Sequence, residues 1–272
     1  MPTPPILSNK HHTEPSVFTA ENLLREARRQ KSLVRAHVPR ICVLDPDGDI
    51  VRWLVATRRA ERESHWPCYH TDLFTFAWDD MRLGIIGCAV GASFAVLVAE
   101  ELFASGCELL ISVTSAGQIV ATKDPPYFVL IEKALRDEGT SYHYLPPGDF
   151  SYIASGLLAT IKDVVGEMPV PMYRGATWTT DAPFRETASA VARCRDLAIM
   201  AVEMEAAGLY AFAEARRKPV VCLAHVTNRM ARIEGDFEKG IAGGSQDALR
   251  AVGLVARAWM RHQSPETIRE PG

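Results

Sequence analysis

The sequence has no excess of basic residues and no paired cysteines. Its 30 lysines and arginines are matched by 33 acidic residues, so it lacks the basic surface on which nucleic-acid binding depends. The six cysteines stand singly and form no CxxC motif, which excludes a zinc knuckle and a redox pair. No spacing of His, Asp and Glu recurs on one face, so neither a metal nor a bound cofactor is predicted. Isolated cysteines in apolar runs are typical of a reducing compartment, which predicts a cytoplasmic protein.

Long uncharged runs are also scarce. The stretch 83–99 carries no charge over 17 residues, a length at the lower limit for a membrane helix. It contains Gly84, Gly87 and Gly91, and Glu100 follows it. We therefore interpret it as a buried strand, a glycine turn and a helix, and we expect no membrane association. The first residues also lack the apolar core of a secretory signal.

The chain does have a regular alternation of apolar runs and amphipathic segments. From residue 40 onward, continuous apolar strands alternate with helices, which is typical of a sheet covered on both faces. The sequence predicts a single-domain α/β fold with a mixed central β-sheet flanked by helices. An N-terminal arm and helix (1–39) precede this catalytic domain (40–264), and a short tail (265–272) follows it.

The periodicity also predicts the individual elements. Thr19 is the expected N-cap of an amphipathic helix over 18–31. Strands are predicted at 41–44, 50–56, 73–77, 83–88, 109–113, 127–135, 173–179, 198–202 and 219–226. Further helices are predicted at 93–105, 152–165, 205–216 and 246–262.

A pair of carboxylates follows one of the predicted strands, in the segment VEMEAAGLY (202–210). Glu203 and Glu205 flank Met204 where the strand meets a helix. A carboxylate at a helix N-terminus keeps its charge, because free backbone N–H groups and the helix dipole stabilise it. Such a carboxylate can accept hydrogen bonds from a vicinal diol. The alternative is that both glutamates only supply negative charge to the first helical turn.

Two further segments place polar or aromatic residues after predicted strands. In TWTTDAPFRE (177–186), Phe184 can stack on a flat base and Arg185 can reach carbonyl oxygens; the alternative is one core phenylalanine and one surface arginine. The second segment ends a buried strand with small residues that bring backbone amides and hydroxyls close to a ligand, although such residues also form plain turns. Its four residues are Thr114, Ser115, Ala116 and Gly117.

Together these segments resemble the nucleoside phosphorylase superfamily, which includes purine nucleoside phosphorylases, uridine phosphorylases and methylthioadenosine nucleosidases. The run GCAVGASFAVLVAEEL (87–102) is similar to the family's glycine turn and following helix, and the resemblance covers about residues 40–260. It implies cleavage of a nucleoside N-glycosidic bond. It also implies that Met204 packs on the ribose, that Glu205 accepts from the 2′- and 3′-hydroxyls, and that Phe184 lies near the base.

The resemblance extends to the strand end HVTNR (225–229). Purine enzymes carry a catalytic Asp where this chain has Asn228, whereas uridine phosphorylases have Asn-Arg, as in Asn228 and Arg229. This favours a uridine-like site, although the Gln-x-Arg motif of the uridine enzymes is not found. Arg185 and Arg229 are then candidates to take up charge on the leaving base. His143, in an aromatic loop, is a candidate for the sugar 5′ side; a loop without function is the alternative.

The turns that hold phosphate in the family's phosphorylases have lost their cations here. Leu44 and Gly48 replace the glycine and arginine of the first turn, and Ser112 replaces the arginine of the second. A phosphate 4 Å from an uncompensated carboxylate loses roughly 4 kcal/mol at an effective dielectric near 20. Asp47, with Asp45 and Asp49 as alternatives, can instead activate water, as an acid in this turn does in the family's hydrolases. The same cluster also fits a plain tight turn.

Three functions follow from these observations. The nominal one is phosphorolysis with a uridine-like preference, with inorganic phosphate as co-substrate. The alternatives are a phosphate-independent nucleosidase with an Asp-activated water, and a catalytically lapsed nucleoside- or base-binding protein. Cations converging beside residues 114–117 would favour phosphorolysis. The expected partner is a small nucleoside or base, and the resemblance implies a homo-oligomer, from dimer to hexamer.

Overall fold

A computed structural model describes residues 3–121, 123–230, 234–237 and 239–263; the predicted tail, 265–272, lies outside them. These residues form ten strands: β1 (Ile41–Asp45), β2 (Ala60–Arg62), β3 (Phe74–Trp78), β4 (Met81–Gly87), β5 (Leu109–Gln118), β6 (Tyr127–Asp137), β7 (Phe150–Tyr152), β8 (Met172–Thr180), β9 (Ile199–Glu203) and β10 (Val220–Asn228). They also form eight α-helices: α1 (Ala20–Lys31), α2 (Asp49–Ala56), α3 (Ala92–Ala104), α4 (Ser141–Tyr144), α5 (Ser155–Ile161), α6 (Ala188–Asp196), α7 (Ala206–Arg216) and α8 (Ser245–Gln263).

The strands form one mixed sheet that partly closes on itself. β5, β9, β8, β6 and β10 pair in that order, and β10 pairs again with β5. From β5 the sheet continues through β1, β4, β3 and β2. β1 runs parallel to β4 and β5, while β10 is parallel to β5 and antiparallel to β6. The predicted mixed α/β fold is therefore confirmed.

The stretch 83–99 lies within strand β4 and helix α3, as the glycines between them predict. Five of its side chains in α3 are completely or almost completely buried, because the helix packs against α7 and α1. Among the residues that the structure describes, no helix is long and apolar enough to cross a membrane.

The predicted strand at 50–56 is wrong, because this segment is helix α2. Its apolar and β-branched residues suggest a strand, but Ile50 and Leu54, four positions apart, form the buried face of a helix. The Asp45 carboxylate accepts the Val51 N–H at 2.9 Å and so satisfies a free donor in the first helical turn. The predicted helix at 152–165 is shorter: α5 begins at Ser155, and a 3₁₀ turn (Lys162–Gly166) follows it.

The sheet brings distant segments to one edge. Leu44 of β1 lies beside Ser112 of β5, and Asp45 lies beside Gly87 of β4. On the other side of β5, Ser115 is paired with His225 of β10. The loops that leave these parallel strands therefore meet, which is where open α/β sheets place their ligands.

Candidate active site

Glu205 is a buried carboxylate at the start of α7. Its side chain is only 1% exposed, and Oε1 accepts the Gly91 N–H at 2.8 Å. Among the described residues, Oε2 has no hydrogen-bond partner. Burial, followed by the charge of Glu203, raises the pKa of Glu205 to about 8, while the Gly91 N–H and the Thr114 hydroxyl act in the opposite direction. Glu205 is thus a buried carboxyl group with one oxygen bonded and the other without a partner in the described part of the chain.

Glu203 is equally buried but fully bonded. One oxygen accepts from the hydroxyls of Thr177 at 3.0 Å and Thr179 at 2.5 Å. The other accepts the N–H groups of Glu205 and Ala206, both at 2.7 Å. Glu203 therefore fixes the first turn of α7 to β8 and orients Glu205. Both of its oxygens are occupied by protein donors, which leaves none free for a ligand.

The turn after β1 carries three aspartates in different surroundings. Asp45 is 2% exposed, and burial, together with the charges of Asp47 and Asp49, raises its pKa to about 7. Asp49 is partly exposed and accepts from Arg52 at 2.5 Å and Lys239 at 2.6 Å. Burial therefore favours the protonated form of Asp45, while Asp49 is paired with two cations.

Asp47 accepts hydrogen bonds from Ser115, near the end of β5, and from Lys239. Its Oδ2 accepts the Ser115 N–H at 3.0 Å, the Ser115 hydroxyl, and the Lys239 ammonium at 3.2 Å. A backbone amide, a hydroxyl and an ammonium group are the donors that proteins commonly offer to a phosphate. Here the chain's own carboxylate takes them.

The segment 114–117 contacts residues of three other parts of the site: Glu205, Asp47 and Asn228. Thr114 faces Glu205, and Ser115 faces Asp47. Ala116 is buried, and its carbonyl accepts from the Asn228 side chain at 3.5 Å. Gly117 lies beside Asn228 in the sheet, and an added Cβ there would lie 3.4 Å from the Asn228 Oδ1.

Asn228 and Arg229 are held by protein groups. The Asn228 amide also donates to the Thr227 hydroxyl at 3.2 Å, and its oxygen accepts the Met230 N–H at 2.8 Å. The Arg229 guanidinium forms an ion pair with the exposed Asp124. Both side chains would have to exchange partners before they could contact a base.

Of the remaining predicted residues, Met204 is the chain neighbour of Glu205, and the other three are exposed. Phe184 lies in a 3₁₀ turn and is 99% exposed. Arg185 beside it is exposed, and Met204 is half-buried. The exposed His143 has its Nδ1 3.1 Å from the Lys10 Nζ of the N-terminal arm. In the part of the chain that the structure describes, the loop that carries Phe184 therefore places no aromatic ring over Glu205.

The sequence patterns missed Lys239 and Gly91 as site residues. Lys239 lies 192 residues from Asp47 in the chain, and its segment has no periodicity that would predict a contact. The sequence predicts only a turn at Gly91, although its N–H donates to Glu205. Among the described residues, no three His, Cys, Asp or Glu side chains are placed to hold a metal ion.

The chain belongs to the phosphorylase superfamily, whose family model matches residues 40–257. A DeoD-type purine nucleoside phosphorylase from Colwellia psychrerythraea is 25% identical over 159 residues, which are 58% of this chain and 68% of that protein. Other curated phosphorylase relatives are matched over about half of this chain and 58–59% of their own length. The predicted family is confirmed.

Solved structures of this family share the fold. Uridine phosphorylase from Vibrio fischeri superposes with a TM-score of 0.70 at 19% identity, covering 84% of this chain and 99% of that one. The 5′-methylthioadenosine/S-adenosyl homocysteine nucleosidase of Campylobacter jejuni superposes with a TM-score of 0.64 at 18% identity, covering 82% and 99%. Phosphorylases and a nucleosidase thus share this architecture, and the residues of the site must decide between the two reactions.

Proposed function

We propose that the protein hydrolyses the N-glycosidic bond of a nucleoside, with Glu205 holding the ribose hydroxyls and Asp47 accepting a proton from the attacking water. The observation that carries the proposal is the position of Asp47. Its carboxylate fills the Ser115 and Lys239 donors that a phosphate nucleophile would need.

The sugar-binding role rests on the unsatisfied oxygen of Glu205. A buried acceptor without a partner costs about 1–3 kcal/mol, so the free protein carries this cost at Oε2. A 2′,3′-diol supplies two hydroxyl donors and removes it. Met204, the adjacent residue, is then placed to pack on the ribose.

Water is the nucleophile that the charges favour. A phosphate entering beside Ser115 has to displace Asp47 or lie next to it. At about 4 Å and an effective dielectric near 20, each such charge pair costs roughly 4 kcal/mol. A water molecule has no such penalty, and a carboxylate held by Ser115 and Lys239 is fixed to accept its proton. Negative charge from Asp47, and from Glu205 once the bound diol stabilises its ionised form, also stabilises the positive sugar ring that develops as the bond breaks.

Phosphorolysis is the second candidate, and Lys239 favours it. This ammonium group is a cation beside Ser115, at 3.2 Å from Asp47. If Asp47 moves away, the Ser115 N–H, the Ser115 hydroxyl and Lys239 together can hold a phosphate.

The base-binding side depends on residues that do not converge in one chain. Phe184 and Arg185 lie outside the buried cluster, and Asn228 and Arg229 are engaged elsewhere. The exposed Phe184 agrees with the expectation of a homo-oligomer in which a second copy completes the site.

Phosphate dependence tests the proposal. Purified protein is incubated with uridine, adenosine and methylthioadenosine in phosphate-free buffer and again with added phosphate. Hydrolysis yields free base and free sugar at the same rate in both buffers. Formation of the sugar 1-phosphate only when phosphate is added would establish phosphorolysis instead. Binding of a nucleoside without any turnover would establish a lapsed enzyme.

A further inference from the structure

A small polar cavity lies behind Asp47. Its volume is about 20 Å³, and its lining includes Asp45, Asp47, Thr114, His225, Lys239 and Ser245. A cavity of this size holds about one water molecule. Thr114, one residue of this lining, also lowers the pKa of Glu205 through its hydroxyl, and it thus links the cavity to the carboxylate assigned to the ribose.

His225 presents an unpaired nitrogen to this cavity. The residue is 5% exposed, and its ring stacks on Phe128 with centroids 4.3 Å apart. Gly244 closes over the other side, since a Cβ there would lie 2.3 Å from the imidazole Cε1. In the described part of the chain, neither the His225 Nε2 nor the Ser245 hydroxyl has a hydrogen-bond partner. Buried polar atoms are almost always bonded, to protein or to an ordered water.

The imidazole is neutral at physiological pH. Burial, followed by the charge of Lys239, lowers the pKa of His225 to about 4. A neutral imidazole has one nitrogen that accepts and one that donates. It is therefore suited to bind one hydrogen of a water molecule, while the stacking on Phe128 fixes its plane.

We propose that His225 is a positioning residue for the hydrolytic water, with Nε2 accepting one water hydrogen while Asp47 accepts the other. The Ser245 hydroxyl donates to the water oxygen, which leaves one lone pair free. That lone pair forms the bond to the sugar C1′ as the C1′–N bond breaks. The electron pair of that bond leaves with the base, which takes a proton from solvent, and the water proton passes to Asp47. This inference rests on the proposed hydrolysis.

The variant His225→Phe tests this role, because it keeps a flat ring against Phe128 and removes both nitrogens. We expect kcat in phosphate-free buffer to fall about 10- to 100-fold, the loss for one hydrogen bond in a dry site, with KM nearly unchanged. His225→Gln, which restores an acceptor near Nε2, should regain part of the rate. The fall in kcat should be smaller for Ser245→Ala than for His225→Phe. Ser112→Ala is the matched control, because its hydroxyl is also buried and unpaired among the described residues but does not line the cavity.

A second readout separates positioning from stability. In buffer containing methanol, either the held water or a methanol molecule from solvent can attack C1′ as the C1′–N bond breaks. His225→Phe should raise the fraction of methyl riboside, whereas a merely destabilised protein should change its melting temperature without changing this ratio. A wild-type product ratio and a wild-type kcat in a folded His225→Phe variant would overturn the role of His225 but not the proposed hydrolysis. If His225→Phe does not fold, the same result in Ser245→Ala and His225→Gln overturns it. Absence of free sugar from the wild-type protein would overturn the proposed hydrolysis as well.

Discussion

Glu203 and Glu205 are two residues apart and both buried, but their hydrogen bonds indicate different roles. Glu203 accepts four hydrogen bonds from protein groups. Glu205 accepts one, from Gly91. A fully bonded carboxylate stabilises the fold, and a half-bonded one is available to a ligand.

Alanine at each position should separate these roles. Glu205→Ala is expected to lower kcat/KM by about 10²- to 10³-fold, because the charge that holds the ribose is lost from a dry site, while the free energy of unfolding changes by less than about 1 kcal/mol. Glu203→Ala leaves two N–H groups and two hydroxyls without their acceptor and should lower that free energy by about 2–4 kcal/mol. Steady-state kinetics and urea unfolding measure both. Equal losses of activity and stability in the two variants would contradict the assignment.

Asparagine substitutions should distinguish among the three aspartates of the turn. Asp47→Asn keeps the size of the side chain but cannot accept a proton, so hydrolysis in phosphate-free buffer should fall at least about 100-fold. Asp49→Asn loses only part of a partly exposed ion pair with Arg52 and Lys239, which is worth about 1 kcal/mol or less, and should stay within about fivefold of wild type. The reverse order of effects, measured under the same conditions, would assign the base to Asp49.

The candidate site could be predicted only where the motif residues are close in sequence. Glu205 and Ser115 follow strands in recognisable segments, and strand ends converge in such folds. The ion pair between Asp47 and Lys239 could not be predicted, since it joins residues 192 positions apart. The exposure of Phe184 could not be predicted either, because the sequence gives no sign of which surface a second copy covers.

At the scale of elements, the periodicity identified most helices and strands of the central sheet. The short elements β2 and α4 are not predicted. The segment that is assigned wrongly, α2, is decided by tertiary contacts. Its apolar residues fit both a strand and a helix, and the Asp45 carboxylate at its N-terminus, with Ile50 and Leu54 against the core, selects the helix. Local propensity is a weak guide for such a short segment.

The start of α7 depends on one threonine of β8. The Thr179 hydroxyl donates to Glu203 and accepts the Ala207 N–H at 2.9 Å. Within the described part of the chain, the Thr177 hydroxyl bonds to Glu203 alone. Thr179→Val should therefore lower the free energy of unfolding by about 1–3 kcal/mol, more than Thr177→Val, because it also leaves a buried N–H unpaired. Urea unfolding of the two variants tests this order. Equal effects would show that the bond to Ala207 contributes nothing.

At the scale of the whole molecule, the buried ionisable groups predict how stability depends on pH. The pKa of His225 is lowered to about 4, so the unfolded chain binds more protons between pH 4 and 6.5, and stability rises with pH there. The pKa values of Asp45 and Glu205 are raised to about 7 and about 8. The folded chain therefore binds more protons above their ordinary values, and stability falls as pH rises to about 8.

The two trends oppose each other below pH 6.5, and only the loss remains above it. Because two carboxyls lose stability while one histidine gains it, the free energy of unfolding should fall as the pH rises above about 5. The fall between pH 6.5 and 8.5 should be roughly 2–3 kcal/mol, since each pKa unit corresponds to about 1.4 kcal/mol. Glu205→Gln should flatten this alkaline limb, and so should a bound nucleoside, because its diol stabilises the ionised Glu205. Urea unfolding from pH 5 to 9, with and without nucleoside, measures the limb. An unchanged slope in Glu205→Gln would show that Glu205 is already ionised in the free protein at these pH values.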